Sequence, residues 1–237
     1  MTVNCRLQIL TVLRKLGLIG LITQVVNLSL SLVKWSCHRV GLNHLDIIYN
    51  RRYFKSQDHM TQPTAGQVVE CLIETFNPNS VIDVGCGTGV YIYEFEKRNV
   101  RAIGIDGSRH AIAQAKVPSD KIQRADLTQP LPSFFISSKC NLVICFEVAE
   151  HLLARDAGTL IDNLSGMGDN LVFSAAAPGQ GGLDHINEQP PEYWITLCES
   201  KGWKYNEELT ETLRYKFKQC NVAWWLAKNT IIFQRHL

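Results

Sequence analysis

From Ser80 the chain reads Ser-Val-Ile-Asp-Val, then Gly85-Cys-Gly87-Thr-Gly89, then an apolar-patterned stretch to Lys97. A short apolar run closed by glycines is a buried strand of a parallel sheet, followed here by a helix. Glycines between a strand and a helix let the backbone come close to a ligand at the carboxyl edge of the sheet. A turn that merely needs conformational freedom explains one glycine, not three with an acid, Asp83, two residues ahead of the first. The spacing G-x-G-x-G also departs from the G-x-G-x-x-G of dinucleotide sites, whose helix cradles a pyrophosphate.

The same grammar repeats downstream. An amphipathic helix is expected over residues 63–76, with Val68, Val69, Leu72, Ile73 and Phe76 on its apolar face. A helix over 88–97 leads to a second strand over 100–106 and a second helix over 108–116, with Ser108 as its N-cap. Further strands fall at 121–125, 141–146 (NLVICF), 170–175 (NLVFSA) and 229–234 (NTIIFQ), with a helix at 191–201. Strands separated by helices make an α/β protein whose mostly parallel sheet is wrapped on both faces.

The 237 residues suffice for one such domain with an appendage. A net charge of +2 argues against nucleic-acid binding by gross charge. The eight cysteines contain no C-x-x-C pair and read as buried thiols of a reducing, cytoplasmic compartment. The charge is uneven: residues 1–60 hold 8 Lys/Arg against 2 Asp/Glu. Leu16 to Val33 carries no charge, but Gly17, Gly20, Gln24, Asn27, Ser31 and Lys34 form a polar seam at helical spacing. A spanning helix gains nothing from a polar seam facing lipid, so residues 7–35 are expected to form an amphipathic helix. It either packs on its own domain or, with Arg6, Arg14, Lys15, Lys34 and Arg39 beside it, lies on an anionic membrane surface. No cleavage site for a secretory signal follows, whereas a basic organellar presequence remains compatible with the pattern. The division expected is 1–45 for this segment and 46–237 for the domain.

The glycine loop with its leading acid resembles that of class I, Rossmann-like S-adenosylmethionine-dependent methyltransferases. The resemblance covers roughly residues 45–237 through VIDVGCGTG, GIDGS, RADL and LVICFEVAEHL. It implies a seven-stranded sheet in the order 3-2-1-4-5-7-6. It also implies that Asp83, Gly85, Gly87 and Gly89 line the methionine half of the cofactor. Asp106, ending the second strand, would accept hydrogen bonds from the ribose hydroxyls. Asp126 would accept from the adenine amino group while Leu127 packs on the ring. The tail from Phe173 to Trp194 is similar to a bacterial and viral branch of methyltransferase-domain proteins.

Methyl transfer from a sulfonium is an in-line displacement, and an alcohol acceptor must also lose a proton to a base or be activated by a Lewis acid. Glu147, Glu150 and His151 fall at i, i+3 and i+4 where the fourth strand passes into what should be a helix; a helix beginning by Glu147 would put all three on one face. His185 follows the fifth strand, a neighbour of the fourth in the implied order. E-x-x-E-H with a later histidine is similar to metal-dependent methyltransferases of small-RNA ribose and of catechol-like ubiquinone precursors. Three readings stand side by side: a magnesium or manganese site of Glu147, Glu150, His151 and His185; metal-free catalysis by His151 or His185; or a purely structural run.

The acceptor expected is a hydroxyl on a sugar, glycolipid or isoprenoid-like small molecule. RNA ribose methylation fits less well, because the basic residues cluster in an apolar segment. A non-catalytic cofactor-binding subunit would not need the acceptor-side residues. An N-P-P-Y signature after the fourth strand is absent, which disfavours amide or base N-methylation. Residues 180–182 read as a loop able to close over the acceptor, Trp194, Trp224 and Trp225 as core or pocket wall, and Tyr49 and Tyr53 as a cover for the methionine end.

Overall fold

A computed structural model describes residues 25, 29, 48–132 and 139–235. Seven strands form one sheet: β1 (Ser80–Val84), β2 (Arg101–Asp106), β3 (Ile122–Arg124), β4 (Leu142–Phe146), β5 (Asn170–Ser174), β6 (Lys204–Tyr205) and β7 (Ile231–Gln234). Their order is β3-β2-β1-β4-β5-β7-β6, as implied by the resemblance. β1 through β5 pair in parallel, and β7 runs antiparallel to both β5 and β6. The five parallel strands thus end at one edge, where their loops meet.

Helices α1 (Arg51–Phe76), α2 (Val90–Glu96), α3 (Arg109–Ile112), α4 (Ala157–Ser165), α5 (Pro191–Ser200), α6 (Glu207–Gln219) and α7 (Trp224–Asn229) cover the sheet. One face packs Val68, Leu72, Phe95, Leu213 and Phe217 from α1, α2 and α6. The other packs Leu160, Leu164, Trp194 and Cys198 from α4 and α5. Strands buried on both faces explain why β4 and β5 read as continuous apolar runs. The six described cysteines are free thiols. No described helix is long and apolar enough to cross a membrane. Of the expected N-terminal helix over 7–35, Val25 and Ser29 are helical and exposed, and the rest lies outside the described residues.

Two boundaries differ from the sequence expectation. Pro63 does not open α1; the helix starts three turns earlier, because the Asn50 side chain accepts from the backbone N–H groups of Arg52 and Tyr53 at 2.9 and 3.2 Å. Pro63 removes one helical hydrogen bond, and the carbonyl it leaves belongs to His59, an exposed residue. The E-x-x-E-H run is not an α-helix either. Glu147 sits in the left-handed region (φ 54°), and only a single 3-10 turn, Ala149–His151, follows.

Candidate active site

The loop after β1 is shaped by contacts as much as by ligand space. Gly85 has φ 79°, and a Cβ there would lie 2.3 Å from Val148 Cγ2, so the loops after β1 and β4 touch backbone to side chain. Gly87 (φ 54°) opens onto the cavity beside Phe54 and donates its N–H to Asp106 Oδ2 at 2.8 Å. Gly89 is not among the residues lining that cavity; it caps α2 with φ 78°, and a Cβ would meet Ile122 Cδ1 at 2.9 Å and Val117 Cγ2 at 3.1 Å. Its role is close packing of the loop on β3.

One cavity of about 1060 Å³ runs along the carboxyl edge of the sheet and is lined by Asp83, Gly85, Gly87, Asp106, Asp126 and Leu127 among others. Single-ligand sites run from roughly 300 to 1,000 Å³, so this one has room for a cofactor and an acceptor together. Asp106 Oδ1 accepts from Ser108 N and Oδ2 from Gly87 N, both at 2.8 Å, which fixes the carboxylate with acceptor capacity to spare. Asp126 is exposed, and its Oδ1 accepts from Thr128 N (2.9 Å) and Oγ1 (2.7 Å). Asp83 is 3% exposed, and burial, followed by the charge of Asp106, pushes its carboxyl up to about 8.

The first turns of α1 roof this cavity with Tyr53, which the sequence reading took as a cover, and with Phe54, Gln57, Asp58 and Thr61, which it did not name. Asp58 latches the roof by accepting from Thr88 Oγ1 at 2.5 Å and pairing with Lys116 at 3.0 Å. The Asn50 cap was the available signal for this extension. Tyr49, just ahead of it, joins both ends of the site. Its carbonyl accepts from Ser108 Oγ at 2.8 Å, and its hydroxyl donates to Asp184 Oδ2.

On the acceptor side, Glu150, His151 and His185 come together, with one potential ligand atom from each lying within 4.8 Å of the others. Glu147 is not in that group. Its Oε2 accepts from Gln180 Nε2 at 3.2 Å and its Oε1 from Asn229 Nδ2 at 3.4 Å, while Asn229 also donates to Gln180 Oε1 at 2.8 Å. The expected four-residue set is thereby reduced to three, because the left-handed backbone at Glu147 turns it away from a shared helical face. Glu150 is fully buried, and neither carboxylate oxygen has a hydrogen bond of good geometry. Burial, and then the neighbouring Glu147 carboxylate, hold it well above the ordinary carboxyl range.

The histidines are oriented from behind. His151 Nδ1 lies 3.1 Å from the Asp184 carbonyl, which only accepts, so Nδ1 carries the proton and Nε2 the lone pair. His185 Nδ1 lies 3.1 Å from Glu188 Oε1, and Glu188 also accepts from the Gly179 and Gly181 N–H groups at 2.8 and 2.7 Å. The two rings meet edge to face at 4.9 Å. A Cβ on Gly182 would fall 2.3 Å from His185 Nε2, so the glycine is required by the imidazole. The Glu150 carbonyl accepts from Ile186 and Asn187 N–H at 2.9 and 3.0 Å and ties the loop down. Asp184 and Asn229 were not legible as site residues, since their partners lie far away in sequence, and Glu188 was passed over although its partners Gly179, Gly181 and His185 are near neighbours.

A sheet in this order, with a carboxylate-flanked glycine loop opening on a cofactor-sized cavity, is that of a class I methyltransferase. The chain carries such an S-adenosylmethionine-dependent methyltransferase domain: a family described as "Methyltransferase domain" matches residues 56–166. The magnesium-protoporphyrin O-methyltransferase of Synechocystis sp. is 23% identical over 175 residues, covering 71% of this chain and 70% of the relative. Its crystal structure with bound S-adenosylhomocysteine superposes with a TM-score of 0.53 at 17% identity, over 74% of this chain and 83% of that one. A SAM-dependent methyltransferase from Archaeoglobus fulgidus gives a TM-score of 0.55 at 17% identity, covering 77% and 99%. Human N-acetylserotonin methyltransferase in complex with SAM gives 0.56 at 13%, covering 85% and 62%.

Proposed function

We propose that this methyltransferase transfers the methyl group to an oxygen of a small molecule, with Glu150, His151 and His185 acting on the acceptor hydroxyl. The observation that carries the reading is the paired orientation of the histidines beside a buried carboxyl at the cofactor cavity. Asp106 takes the ribose hydroxyls, Asp126 Oδ2 the adenine amino group with Leu127 against the ring, and Asp83, Gly85 and Gly87 border the methionine end. As the oxygen–methyl bond forms and the sulfur–methyl bond breaks, the hydroxyl proton passes to an imidazole Nε2, and neutral S-adenosylhomocysteine leaves.

The same three side chains suit a divalent cation: two imidazoles with their Nδ1 positions engaged from behind, and a buried carboxylate beside them. A bound manganese or magnesium ion would lower the hydroxyl's pKa and favour the ionised form of Glu150. Titration of manganese into protein saturated with S-adenosylhomocysteine separates the two forms of the reading. One site that disappears in His151→Ala and in His185→Ala supports the metal; no heat, with activity insensitive to chelator, leaves a histidine base. The oxygen acceptor itself is tested by incubating cell extracts with labelled methyl donor and locating the label by mass spectrometry. Label confined to nitrogen or carbon overturns the proposal. Residues 46–237 are proposed as the catalytic unit, with 1–45 an appended segment that contacts an anionic membrane; salt-releasable sedimentation with anionic vesicles supports this, and its absence refutes it.

A further inference from the structure

Large apolar side chains left in water are concentrated at the mouth of the cavity. Met60 (47% exposed), Leu183 (49%) and Trp224 (59%) all line it, and each comes from a different element: α1, the loop carrying His185, and α7. Scattered exposed apolar residues need no explanation, whereas three bordering one cavity form a patch. The segments that carry this rim also carry the polar floor. Leu183 is two residues from His185. Trp224 opens α7, whose last residue, Asn229, bonds to Glu147 and Gln180. At 1.5 Å per residue, the helix sets Trp224 about 7.5 Å from Asn229 along its axis. The amides of Gln180 and Asn229 are engaged with Glu147 and with each other.

From this arrangement we infer that the acceptor is an amphipathic molecule whose reacting hydroxyl sits at the histidines and whose apolar body lies outward against Met60, Leu183 and Trp224. This rests on the O-methyltransferase reading and narrows it. The test uses the full chain saturated with S-adenosylhomocysteine, whose own binding, measured first, reports on the cofactor site independently. Binding of 4-alkylphenols from methyl to hexyl is then measured by quenching of tryptophan fluorescence and by calorimetry. Each added methylene should tighten binding about three- to fourfold, the increment for burying a CH₂. In Trp224→Ala the increment should fall below twofold while the first members of the series bind as before.

An increment near one in the wild type overturns the inference, as does methyl glucoside binding as tightly as hexylphenol. Equilibrium sedimentation covers the other occupant: a dimer that dissociates in Trp224→Ala assigns the rim to a second copy of the chain and also overturns it. Failure of the wild type to bind S-adenosylhomocysteine would instead strike the underlying reading.

Discussion

Asp83 offers a quantitative test of the cofactor site through proton release. Its carboxyl is 3% exposed, one oxygen has no hydrogen-bond partner, and burial with the nearby Asp106 charge places its pKa near 8. At pH 7 a group with that pKa is about 90% protonated. The cofactor brings its ammonium group toward this carboxyl and so favours the ionised form. If binding returns Asp83 to about 6, the coupling is about 2.7 kcal/mol, at 1.36 kcal/mol per unit. From the bound-state value of about 6 up to pH 8 affinity should then rise by up to tenfold per pH unit, and level off above pH 8. Calorimetry with S-adenosylhomocysteine at pH 7 in phosphate and in Tris, which differ in ionisation heat, counts the protons: close to one should leave per cofactor bound. Asp83→Asn should abolish both the release and the pH slope. The sign of the stability effect follows from the same shift. Between the ordinary carboxyl value of about 3.9 and 8, the folded state binds more protons than the unfolded, so stability without cofactor falls as pH rises. Identical heats in the two buffers, with a pH-independent affinity, would refute this account of Asp83.

Asp106→Ala removes acceptors for Gly87 N–H, Ser108 N–H and the ribose, and should weaken S-adenosylhomocysteine binding by about 1.5–3 kcal/mol, measured by calorimetry. Gly85→Ala forces a Cβ into Val148 at positive φ and should lower stability by about 2 kcal/mol or more in urea unfolding, with the lost cofactor affinity recovered in part by Val148→Ala. Tyr49→Phe breaks the hydrogen bond to Asp184; the ¹⁵N spectrum of His151 should then show a mixture of tautomers where the wild type shows Nδ1–H alone.

Much of the fold is written locally. β1 spans the five residues expected, and β4 and β5 fall within one residue at each end, because strands buried on both faces are continuous apolar runs. β6 is two residues long and carries no pattern of its own; it exists because β7 is there to pair with it. The glycine loop and Asp106 were legible since they lie within a few residues of the strands that position them. Gly89 has the spacing of a ligand loop, but its packing against Ile122 and Val117 comes from elsewhere in the chain and could not be read locally. The E-x-x-E-H run shows the same limit: helical spacing is visible in sequence, but the left-handed turn at Glu147 is fixed by Ser174, whose carbonyl and hydroxyl both accept its N–H. The supports of His151 and Glu147 are long-range and leave no local trace, whereas Glu188 lies only three residues from His185.

The bond between Tyr49 and Asp184 closes a circuit of 135 residues. As the chain leaves the ribosome, the glycine loop and the ribose carboxylate are complete within the first half, but the roof above them has no latch on its histidine side until the loop after β5 has been made. β7, which seals the far flank of β5, is made later still. A nascent chain therefore holds a cofactor cleft open on one side for much of its synthesis, and a premature stop before Asp184 leaves that cleft permanently without its far wall. The acceptor-side chemistry is complete only once His185 has been made, after the donor's side is already built.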